Sequence, residues 1–78
     1  MKMTIMNHKM KSFDLHKKRH DDVDRLTENF VLLNELPLEL IVGNSQQMRK
    51  IVQDVLDRHK FEYHMKSYTN YGSIIVSK

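Results

Sequence analysis

Between Phe13 and Val42 the apolar residues change period twice, and that change constrains the fold more than any other feature. Phe13-Asp14-Leu15-His16 alternates apolar with polar, as a strand with one covered face requires, and the strand is placed at Lys11 to Leu15. From His20 to about Glu35 the step lengthens. Val23, Leu26, Phe30 and Leu33 recur every three or four residues, which is the stripe of an amphipathic helix. Asp21, Asp22 and Asp24 suit its N-terminal dipole, and Pro37 closes it. Leu38-Glu39-Leu40-Ile41-Val42 then reads as a central parallel strand. Gly43-Asn44-Ser45 breaks that strand, with Asn44 or Ser45 as the N-cap of a second helix reaching about His59. Met48, Ile51, Val52, Val55 and Leu56 give this helix its buried stripe.

Phe61 to Met65 alternates again, Tyr68 to Gly72 supplies turn residues, and Ser73 to Ser77 forms a last strand. The order βαβαββ defines an α/β two-layer sandwich. Its sheet is four-stranded and mixed, and both helices lie on one face because the apolar surface is too small to coat two. Both helical stripes, including Leu33, are expected in the core.

A chain of 78 residues is one domain and buries only about 60% of the surface its unfolded form exposes. It has no cysteine, so disulfides, thiolate metal sites and cysteine nucleophiles are excluded. That composition suits a reducing cytoplasm, the expected location. No apolar run is long enough to span a membrane. The N-terminus has no continuous apolar stretch of the secretory kind.

The net charge of +3 is uneven. Residues 1–19 carry six bases against the single acid Asp14, whereas residues 20–78 carry seven bases and nine acids. Residues 1–11 therefore read as a basic flexible arm and 12–78 as the folded domain. A basic arm on a near-neutral body points to phosphates or an acidic partner, or to a solvated tail.

The topology gives this charge a destination. In such sheets ligands bind at the carboxyl ends of the parallel strands. The first strand brings Asp14 and His16 to that rim, and the second brings Gly43, Asn44 and Ser45, followed at once by a helix N-terminus. If the third strand is also parallel, its hairpin (Thr69 to Gly72) joins them. A glycine turn feeding a helix leaves backbone N–H groups that favour a phosphate. An imidazole can exchange a proton or bind a phosphate oxygen. A carboxylate beside it orients the ring, activates water or holds a divalent cation. Lys17, Lys18 and Arg19 lie just beyond and would steer a polyanion. Tyr71 is the best placed of the tyrosines for stacking on a base. The plainer reading of Asp14 and His16 is a mutual pair or a helix cap. His16, His20 and Asp24 have helical spacing but no fixed third ligand, and no metal site is assigned.

A family resemblance adds to these readings. Phe13-Asp14-Leu15-His16 resembles the "LDLHG" opening of the small MutS-related (Smr) domain. Val42-Gly43-Asn44-Ser45 stands where that family has its "HGxG" or "TGxG" loop, and Met48-Arg49 fits the "LR" of its second helix. Tyr71-Gly72-Ser73-Ile74-Ile75-Val76 resembles its closing "GGxTxV" segment. The resemblance spans roughly Phe13 to Ser77. It implies the fold of the translation initiation factor three C-terminal domain and DNA nicking, RNA cleavage or nucleic-acid binding without cleavage. On that basis Asp14 and His16 would be catalytic. Gly43, Asn44, Ser45 and Gly72 would hold phosphate, and Lys17, Lys18, Arg19, Arg49 and Tyr71 would contact the nucleic acid. Lys17 stands where the family has a glycine, Ser45 replaces the later loop glycine, and Gly72 stands alone for a pair. These changes narrow backbone approach to a phosphate.

Two classes of function therefore stand side by side. One is a nucleic-acid-binding endonuclease, with magnesium or manganese as the cofactor left open. The other is a non-catalytic adaptor for nucleic acid or protein. The sheet face opposite the helices, with Ile41 and Ile75, offers a surface for a homodimer or a larger protein partner.

Overall fold

The computed structural model describes the backbone of residues 10–67 and 70–78, and the side chains of these apart from 67, 70 and 71. The elements run β1 (Lys11–Asp14), α1 (His20–Leu33), β2 (Leu38–Ile41), α2 (Gln46–Arg58), β3 (Tyr63–Ser67) and β4 (Asn70–Val76). This is the βαβαββ order that the periodicity predicts. The sheet order is β1-β2-β4-β3. β1 pairs parallel with β2, while β4 runs antiparallel to both β2 and β3. It follows that β1, β2 and β3 share one direction and their carboxyl ends share one rim.

Alternation decides which sheet face the helices cover. Leu38, Leu40, Val42, Ile74 and Val76 are fully buried, and they form one cluster with Val23 and Val31 of α1 and Met48, Val52 and Leu56 of α2. Both helices thus lie on one face. They are tied to each other by Arg58 to Asp24 at 3.1 Å and His59 to Glu28 at 2.9 Å. His59 is the C-cap of α2, where its spacing also suits the helix dipole.

Several boundaries and one stripe differ from the sequence reading. Lys11, counted in the arm by charge and in the first strand by period, is the first residue of β1, as the period has it, and pairs with Leu38. Residues 1–9 of the arm lie outside the described residues. β4 begins at Asn70, so Asn70, Tyr71 and Gly72 are strand and not turn, with Ser67 opposite Asn70. Tyr68 and Thr69, also assigned to the turn, lie outside the described residues, as does the Tyr71 side chain.

Leu33 is 79% exposed and not part of the core. The fully covered line on α1 is Val23, Thr27 and Val31, with Leu26 and Phe30 packed at its margin. At about 100° per residue that line turns away from Leu33. Thr27 hid it, because a polar residue stood at a core position. Among the described residues its buried hydroxyl has no hydrogen-bond partner, at a cost of about 1–3 kcal/mol that the surrounding packing offsets.

The uncovered face carries an acid at its centre. Glu39 on β2 accepts hydrogen bonds from Ser12 Oγ at 2.9 Å on one side and Lys66 Nζ at 3.2 Å on the other. Burial raises its pKa, but the bonds from Ser12, Lys66 and Ser73 outweigh that and hold the carboxyl below its ordinary value. A lowered pKa means stability that is present above the unfolded value and lost as pH falls through the folded one. Glu39→Gln should therefore be less stable at pH 7 by about 1–3 kcal/mol. Its deficit should shrink as the pH is taken below 4.5, the ordinary value for this carboxyl. Urea titrations of both proteins at neutral and acid pH measure this, and a constant deficit would show that the Glu39 charge contributes nothing.

Candidate active site

Asp14 ends β1, and Leu15 immediately after it is fully buried, with its N–H bonded to the Ile41 carbonyl at 2.8 Å. Leu15 thus anchors the chain at the rim and leaves Asp14 and His16, on either side, facing away from the core. Asp14 Oδ1 accepts the His16 backbone N–H at 3.1 Å and also pairs with Nδ1 of the ring. The hydrogen bond from His16 is the chief reason the Asp14 carboxyl lies below its ordinary value. Both side chains are about half exposed, at 49% for Asp14 and 42% for His16. A proton on Nδ1 leaves the lone pair of the neutral ring on Nε2.

The chain then turns, with the Lys18 N–H bonded to the Leu15 carbonyl at 2.9 Å. Lys17, Lys18 and Arg19 are exposed in this turn. Arg19 is the N-cap of α1, with no capping bond from its side chain.

Gly43 reaches the same rim from β2. Its φ of +68° is the left-handed region that favours glycine. A Cβ there would lie 3.0 Å from His16 Cβ, so the Gly43 backbone runs close beside the root of the His16 side chain. The N–H groups of Val42 and Gly43 both donate to the Gly72 carbonyl, at 2.7 and 3.1 Å. Three segments that the sequence places at one edge, 14–16, 43 and 72, therefore meet.

Much of the polar backbone and side-chain surface at this turn is already engaged within the protein. The Gly43 N–H is committed to Gly72. Ser45 is the N-cap of α2, and its Oγ accepts the Met48 N–H at 3.1 Å. Gln46 and Gln47 open the helix, where backbone N–H groups have no intrahelical acceptor. Asn44 is exposed before them, and Arg49 is half-buried in the first turn.

Among the described residues no three His, Cys, Asp or Glu side chains come together. Among the described residues a cation at this rim would find only the Asp14 carboxylate, with one oxygen committed to His16, and the His16 ring, which do not make a dedicated metal site. No described helix is long and apolar enough to cross a membrane.

The sequence reading missed the Glu39 network. An acid between two leucines was its one signal, and its partners become visible only once the strands are in register. It also missed the Gly43–His16 contact. Comparison with protein-family models, curated proteins and solved structures finds no match for this chain.

Proposed function

We propose that this chain is an Smr-like nucleic-acid-binding domain that cleaves phosphodiester bonds at the rim formed by Asp14, His16 and Gly43. One observation carries this reading. Asp14 Oδ1 holds Nδ1 of a half-exposed imidazole, beside a run of three exposed bases and the start of a helix. That is the arrangement of an oriented general base or acid at an anion-attracting surface.

His16 would take or give the proton at the scissile phosphate through Nε2. Asp14 would fix the orientation and tautomer of the ring. Lys17, Lys18 and Arg19 would draw the strand in, with Arg49 and Tyr71 extending the contact. Asn44, Ser45 and the start of α2 would lie against a neighbouring phosphate, with Gly43 and Gly72 shaping the loop. The absence of cysteine suits work in the cytoplasm.

A second reading, an adaptor without chemistry, draws on the commitment of the Gly43 N–H and the Ser45 hydroxyl to the protein itself. The test incubates the protein with supercoiled plasmid and with structured RNA, in magnesium, manganese or a chelator, across a salt series. Nicked plasmid or discrete RNA fragments are expected. Binding that weakens steeply with salt, with no cleavage of either substrate, would replace the enzyme with the adaptor.

A further inference from the structure

We propose that Gly43 is a positioning residue, seating His16 against Asp14 by the absence of its own side chain. The role rests on the catalytic reading of that pair, but it can be measured without a substrate.

The loop around Gly43 has little freedom to retreat. Its N–H and that of Val42 are both bound to the Gly72 carbonyl, and the Ile41 carbonyl just before them accepts the Leu15 N–H. β4 holds the loop on one side and the end of β1 on the other. Ser45, two residues on, is fixed as the cap of α2. Against this clamped backbone a Cβ at position 43 would meet His16 Cβ at 3.0 Å and Cγ at 3.7 Å. The atoms it would meet are the root of the side chain, not a flexible end that can swing aside. A few tenths of an ångström must therefore come from the His16 backbone just beyond the end of β1, and that shift carries the ring with it and moves Nδ1 relative to Asp14 Oδ1.

A glycine chosen only for its φ of +68° would make a different forecast. Asparagine tolerates the left-handed region but still carries the offending Cβ. Gly43→Asn therefore separates backbone strain from displacement of the ring.

The experiment follows the Asp14 carboxyl by NMR across an acid titration, in wild type, Gly43→Asn and Gly43→Ala. In wild type the His16 bond keeps its midpoint below 3.8. In both folded variants the midpoint should rise toward 3.8, an effect that a loss of stability alone does not produce. An unchanged midpoint in folded Gly43→Asn would overturn the proposal.

A second measurement covers variants that fold poorly. The cost of Gly43→Ala is compared in wild type and in a His16→Gly background, where the Cβ it strikes is gone and the φ strain remains. A smaller cost, or recovery of folding, in the His16→Gly background is expected. An equal cost, or failure to fold in both backgrounds, would sink the idea. Absence of nuclease activity would remove the catalytic reading and leave both of these results standing.

Discussion

His16→Ala should cleave nucleic acid about 10²–10⁴-fold more slowly than wild type, with its far-ultraviolet circular dichroism unchanged. The size of the effect follows from what one positioned acid–base group contributes to proton transfer. Its separation from folding follows from place. His16 lies beyond the end of β1 and is half exposed, while the neighbouring Leu15 supplies the burial.

Asp14→Asn is the more discriminating partner. It keeps the volume and an oxygen able to accept the Nδ1–H, but it removes the charge that stabilises an imidazolium and it admits the wrong ring tautomer. Its rate should also fall, and the pH dependence of the residual cleavage should differ from wild type. Nicking of plasmid and cutting of RNA, followed over a pH series, measure both changes. If His16→Ala cleaves at the wild-type rate, any nuclease activity belongs to another part of the molecule and the assignment of the dyad is wrong.

The features that proved legible are those set by local period. Alternation at Phe13 to His16 and the three-and-four spacing of α2 specify their elements whatever surrounds them. Topology then brought Asp14, His16, Gly43 and Gly72 to one rim, because parallel strands end on the same side and the antiparallel β4 begins there.

The misreadings share a cause, since each depended on a partner distant in sequence. Asn70, Tyr71 and Gly72 are turn residues by type, and pairing with β2 and β3 overrides that preference. Thr27 occupies a core line that its hydroxyl conceals, and so Leu33 was given the place. Glu39 looks misplaced within its strand until β1, β4 and β3 supply Ser12, Ser73 and Lys66. Gly43 is not among the misreadings: its phosphate role stands as a proposal, and its sequence says only that the backbone bends there. Which group its amide serves, and which side chain fills the space of its missing Cβ, are set by register.

The packing makes its own demand, and two leucines separate it from hydrophobicity as such. Leu40 is fully buried on β2, between Phe13 of β1 and Ile74 of β4 in register, on the face that both helices cover. Truncating it to alanine removes buried methyl groups and leaves a cavity that a central strand, held on both edges, closes poorly. The expected loss is about 2–5 kcal/mol. A domain of this length holds about 4–12 kcal/mol in total, so Leu40→Ala should unfold at much lower urea. Leu33 has the same side chain but is 79% exposed at the end of α1. Leu33→Ala should change stability by no more than about 0.5 kcal/mol. Urea unfolding of the two variants beside wild type decides between the helix faces. If Leu33→Ala costs as much as Leu40→Ala, then α1 is rotated about its axis from the orientation described, and the line through Val23, Thr27 and Val31 is not the one that meets the sheet.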